Sequence, residues 1–193
     1  MTFSAIAGRR HVGRVSGNAR WACTASALIL ASPALFATNA DLFRPGNGIT
    51  PLHLLGDGTR AMMVVGDREN FNAHSFDVAS LYVRVDGRWE IVPFFDADKE
   101  QDQLTTSGGA DCVLHDFRLV RQGAHRPLGL VVADRDYGDS FVDVRPVTFR
   151  SYELIRNVDF RAGSPTWRFE LRSTRVSVKP YCDVGEAFKE ERE

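Results

Sequence analysis

Cysteine is scarce in this chain, three residues in 193, and no two of them stand in a Cys-x-x-Cys pair. A thiolate metal site therefore has little to build on. The five histidines, His11, His53, His74, His115 and His125, show neither His-x-His nor His-Glu-x-x-His spacing. That removes the sequence case for a zinc hydrolase. A Gly-x-Ser-x-Gly elbow and a Ser-x-x-Lys motif are missing too. A serine hydrolase would have to pair Ser107 or Ser140 with His74 or His115 and an acid such as Asp111 or Asp116, with no local motif in support. The reading is of a non-enzyme with no cofactor and no metal.

Long apolar runs are also wanting. The longest, Trp21 to Phe36, is broken by small residues and Pro33, and it falls short of the ~20 residues a spanning helix needs. Ahead of it lie Arg9, Arg10, Arg14 and Arg20, and after it Ala37 and Ala40 offer small residues for cleavage. Basic leader, apolar stretch and small-residue exit together read as a secretory signal peptide over residues 1–40. The expected product, residues 41–193, is a single exported, periplasmic domain without membrane insertion. Removing four of the 24 basic residues leaves 20 against 25 acidic ones, a net charge near −5. Nucleic acid is therefore not an expected partner. Cys23 leaves with the leader, and the remaining pair, Cys112 and Cys182, is expected to form a disulfide in an oxidising compartment.

Helix-length amphipathic segments are absent outside the tail, Asp183 to Glu193, which is charged and helix-compatible. What fills the chain instead is alternation of period two. Candidate strands are Ile49 to Leu55, Ala61 to Gly66, Val113 to Val120, Leu128 to Ala133, Val147 to Ile155 and Trp167 to Val178. Gly56-Asp57-Gly58 is read as a tight turn. The clearest element is a hairpin from Phe76 to Phe95, where Leu81, Val83 and Val85 alternate with Tyr82, Arg84 and Asp86, and Asp86-Gly87 supplies a two-residue turn. Pro93 implies that its return strand ends there or lies at an edge. Asp96 to Gln103 is read as a charged surface loop. The fold expected is mainly β: one antiparallel domain of about seven or eight strands with a short charged C-terminal helix or tail, and the disulfide tying its middle to its end.

Three polar clusters interrupt the strands: residues 68–77, 104–111 and 134–143. Loops at strand ends are where a β scaffold most often carries function. In the first, Arg68 can grip a carboxylate in bidentate fashion, while Asn70, Asn72 and His74 can bond amides or carbonyls. The competing reading has Asn70 and Asn72 capping turns, Arg68 pairing with a nearby acid, and His74 as a structural histidine. The second cluster contributes Ser107 and the third Asp139. The candidate ligand-binding set is thus Arg68, Asn70, Asn72, His74, Ser107 and Asp139, facing one cleft if the three loops meet.

Several stretches together carry a family likeness. Arg68-Glu69-Asn70-Phe71-Asn72-Ala73-His74-Ser75-Phe76-Asp77, Trp89-x-Ile91-Val92-Pro93-Phe94-Phe95, Leu104 to Cys112, Gly138-Asp139-Ser140-Phe141 and Tyr181-Cys182-Asp183-Val184 resemble the carbapenem intrinsic-resistance (self-resistance) family of exported bacterial proteins, over about Leu52 to Phe188. The resemblance implies a small periplasmic β protein that protects its host from a carbapenem without being a β-lactamase. It transfers no site residues. The expected partner is then a small anionic molecule such as a β-lactam, or a periplasmic protein. The alternative is an immunity or inhibitor protein that binds a secreted toxin or lytic enzyme through acids such as Asp134, Asp136, Asp139 and Asp143.

Overall fold

The computed structural model describes residues 42–96, 99–158, 160 and 162–191. The expected leader and its cleavage points, Ala37 and Ala40, lie outside them. In chain order the strands are β1 Leu42–Phe43, β2 Gly48–Leu52, β3 Ala61–Arg68, β4 Phe76–Val85, β5 Arg88–Ile91, β6 Phe94–Asp96 and β7 Lys99–Gln101. They continue with β8 Leu104–Thr105, β9 Ser107–Gly108, β10 Val113–Val120, β11 Gly129–Arg135, β12 Arg145–Arg156 and β13 Trp167–Tyr181, and one helix, α1 Val184–Glu190, follows. Among the described residues no helix is long and apolar enough to cross a membrane.

These strands form two sheets. One has eight, with β1, β10, β11, β12, β13, β6 and β7 in order and β9 beside β10; the other has five, β2-β3-β4-β5 with β8 beside β4. Their facing sides share one core in which Met63, Leu81 and Val83 from the small sheet meet Phe117, Leu119, Leu130 and Phe169 from the large one. Side chains alternate across a strand, so Ala61, Met63 and Val65 of β3, Ala79, Leu81 and Val83 of β4, Phe117 and Leu119 of β10, and Leu130 and Val132 of β11 enter that core. Burying each large apolar side chain stabilises the fold by roughly 2–3 kcal/mol. The outer face of the large sheet is covered by α1, whose Val184, Ala187 and Phe188 pack on Ala133, Val147 and Phe149. Asp183 starts this helix, its carboxylate accepting from Gly185 N at 2.6 Å and from Val113 N of β10 at 3.0 Å.

The mainly-β, largely antiparallel expectation holds. Eight strands have four residues or more, and the five shorter segments are too brief for alternation to register. The expected hairpin forms, with Asp86 at φ 46° and Gly87 at φ 81° in the left-handed turn region. It ends at Ile91, before Pro93, and the chain then crosses to the other sheet. There β6 pairs with β13 in parallel, Phe94 opposite Phe169, the one parallel pairing among the described residues. The segment expected as a charged loop from Asp96 is in part a hairpin, β6 against β7, because backbone pairing there does not need apolar side chains. Gly56 shows why the turn after β2 takes glycine: φ is +72°, and a Cβ would lie 2.6 Å from the Arg126 carbonyl oxygen.

The expected disulfide joins Cys112 to Cys182 with Cα atoms 5.6 Å apart, closing a separation of 70 residues.

Candidate functional site

The β10–β11–β12 pairing decides which residues share a face. His115 lies opposite Asp134, Val132 opposite Arg150, and Leu130 opposite Tyr152. His115, Asp134 and Arg150 therefore continue the rows begun by Phe117, Val132 and Tyr152, on the side that faces the small sheet. At this end of the molecule the inner face changes from apolar to ionic. It opens there as a cleft of about 350 Å³, floored by Phe94 and Val132 and lined by Asp96, Gln101, Gln103, Thr105, His115, Asp134, Arg150 and Tyr152.

Asp134 is the hub of the cleft. One carboxylate oxygen takes a hydrogen bond from His115 Nδ1, the other from Arg150. Burial by itself would push its carboxyl up. The hydrogen bond and charge of His115, joined by Arg150, outweigh this and hold it below the ordinary carboxylate value. Arg150 also stands 3.9 Å from Asp96, and Tyr152 Oη donates to Asp96 at 3.5 Å. Burial, reinforced by the Asp96 charge, raises the Tyr152 phenol far above its usual value, so it stays protonated and is a donor.

The three polar clusters come together at this same end. His74 Nδ1–H donates to the Gly108 carbonyl at 2.8 Å, and the His74 ring lies 4.8 Å from that of Phe141. Asp77 and Thr106 bond each other in both directions, Asp77 N to Thr106 Oγ1 at 2.9 Å and Thr106 N to Asp77 O at 3.0 Å. Inside the third cluster, buried Arg135 donates to the carbonyls of Asp136 and Phe141, wrapping the loop about its guanidinium.

The residues singled out from sequence are gathered at this end but do not line the cleft. Arg68 is exposed, its guanidinium 5.4 Å from the centre of the Phe76 ring. Asn70 Nδ2 donates to the His74 carbonyl at 2.9 Å, and Asn72 Oδ1 accepts from His74 N at 2.8 Å, so both brace their own loop. Ser107 is opposite His115 in register, with no hydrogen bond between their side chains. Asp139 is exposed, its backbone N–H donating to Asp143 at 2.8 Å. Of the four acids considered for a protein partner, Asp134 is engaged in the cleft and Asp143 pairs with Arg145 at 3.7 Å, which leaves Asp136 and Asp139 exposed. The cleft residues were readable in principle. His115, Asp134 and Arg150 are charged or titratable groups at inward-facing strand positions, and that is the anomaly to look for.

A family model described as "Carbapenem resistance protein CarG-like" matches residues 46–190, well over half of the chain. The chain belongs to the CarG-like family. The matched span takes in the cleft, all three polar clusters and α1. A solved structure described as the crystal structure of CarG is similar, with a TM-score of 0.66 and 22% identity over 77% of this chain and 94% of that one. At that identity the likeness speaks for the fold. No curated protein matches this CarG-like chain.

Proposed function

We propose that this CarG-like protein is an exported, non-catalytic binding protein that protects its cell from a carbapenem, and that the cleft around Asp134 is where the antibiotic sits. Family membership supports the link to carbapenem resistance, and the basic leader followed by an apolar stretch supports export. The observation that carries the site is the ionic end of an otherwise apolar inter-sheet face, in a cleft at the small end of ligand-pocket sizes. A carbapenem is a compact bicycle bearing a carboxylate and a strained amide carbonyl. Arg150 and the second ring nitrogen of His115 suit the carboxylate, while Gln101, Gln103 and Thr105 suit the carbonyls. Phe94 and Val132 offer an apolar floor.

The test is thermal melting of residues 41–193, oxidised, with and without excess carbapenem, alongside mass spectrometry of the antibiotic. A ligand held only by the native state raises the melting temperature, by about 2.7 kcal/mol of stability at 100 times Kd. The expected result is a rise with the antibiotic intact, lost in Arg150→Ala and kept in Arg68→Ala. No rise at millimolar ligand would end the binding reading, a hydrolysed antibiotic would make the protein an enzyme, and loss in Arg68→Ala alone would move the site to the first loop.

A further inference from the structure

Among the described residues Phe71 is the most exposed large apolar side chain: 95% of it meets solvent, and its φ is +57°, a conformation that residues other than glycine rarely adopt. Nothing in the fold gains from this, since an outward phenylalanine adds no core contact. The loop is nevertheless built to keep it there. Glu69 accepts from the Phe71 N–H, Ser75 Oγ donates to Glu69 at 2.7 Å and accepts from Asn70 N at 3.1 Å, and Asn72 clasps His74. His74 then bolts the loop to Gly108 and Phe141. Strain kept at an exposed position by surrounding bonds argues for a use outside the fold.

The surface around Phe71 agrees. Phe141 packs edge-on with Tyr137 at 4.7 Å, and Tyr137 and Val142 are both half exposed. Exposed acids at this end are Asp67, Glu69, Asp111, Asp136 and Asp139, against the exposed cations Arg44, Arg68 and Arg145, and Arg44 is taken up by Asp77 and Asp116. The Cys112–Cys182 bridge stiffens the base of the same end, with Cys182 Sγ 3.5 Å from the Val142 carbonyl. A braced, acidic loop end that carries an exposed aromatic fits a partner with an apolar pocket.

We infer that the loop end is a docking surface for a basic protein with an apolar pocket, into which Phe71 inserts as the anchor. This is independent of the cleft, whose lining does not include Phe71. Preorganisation is what lets one aromatic carry such a contact, because little conformational freedom is lost on binding. The acids around it steer a cationic partner and set its orientation.

A photo-crosslinking phenylalanine analogue placed at position 71 of the full chain, in cells that make it, tests this. The control carries the analogue at Phe160, which is 84% exposed and lies beyond the other end of β12. The expected adduct is a basic protein seen only from position 71. Its purified form should lose at least tenfold in affinity with Phe71→Ala, and Asp136→Asn with Asp139→Asn should flatten the salt dependence of binding. The absence of an adduct, equal adducts from both positions, an adduct with a second copy of this chain, or an affinity that Phe71→Ala leaves within twofold would each overturn the proposal.

Discussion

His74 and Phe141 lie 4.8 Å apart, ring centre to ring centre, and by that contact the first and third polar loops become one surface. The same imidazole donates to Gly108 of the second loop. Replacing His74 by Ala removes both ties at an exposed site. The expected outcome is faster hydrogen exchange across residues 70–75, with a global stability loss of about 1 kcal/mol or less.

Asp116 is buried and pairs with Arg118 at 2.5 Å and with Arg44 at 3.3 Å; Arg44 also reaches the more exposed Asp77 at 3.0 Å. Asp116 also accepts from the buried Phe117 N–H at 2.7 Å, so its removal orphans a buried donor, whereas water can take the place of the Asp77 carboxylate beside Arg44. Urea unfolding should show Asp116→Ala costing about 2–3 kcal/mol, and Asp77→Ala closer to ~1 kcal/mol.

The carboxyl of Asp134 titrates below its ordinary value of 3.8 in the folded protein. A depressed folded value means stabilisation that is present above 3.8 and lost as pH falls through the lower folded value. In acid titrations followed by circular dichroism, the wild type should lose stability below pH 3.8 more steeply than Asp134→Asn, which has no carboxylate to protonate at that position. Equal slopes would mean that the His115 and Arg150 contacts do not favour the charged form.

Asp183 serves two elements with its two carboxylate oxygens, capping α1 and holding Val113 of β10. Asp183→Ala should lower stability by roughly 1–2 kcal/mol. Exchange at the Val113 amide and in the first turn of α1 should speed up together. If only the helix loosened, the link to β10 would be incidental.

Replacing both Cys112 and Cys182 by Ser should cost roughly 4 kcal/mol in the chain-entropy treatment of a loop this long. Denaturant midpoints of the oxidised wild type and the double variant give the number directly.

The hairpin over Phe76 to Ile91 was legible because period-two alternation and an Asp-Gly turn state it twice within sixteen residues or so. The long strands β10, β12 and β13 were legible for the same reason, and the disulfide because only two cysteines follow the leader. The strands β6 to β9 were not, since two or three residues cannot display a period. Nor was the meeting of the loops, which depends on contacts such as His74 with Gly108, 34 residues apart. The cleft escaped for a different reason. His115, Asp134 and Arg150 each look like an ordinary polar strand residue, and only the register across β10, β11 and β12 brings them together on one face.

The parallel pairing of β6 with β13 has a consequence in time as well as in space. Synthesis delivers the N-terminal part first. Phe94 and Phe95 must then wait, without their partners Phe169 and Glu170, until nearly all of the chain has emerged. The small sheet, made of near neighbours in sequence, can pair while synthesis continues; the large one cannot close before its last strand arrives. Such non-local closure makes for slow folding. A chain cut before Trp167 would be left with the outward edges of β6 and β12 bare, open to pairing with other chains.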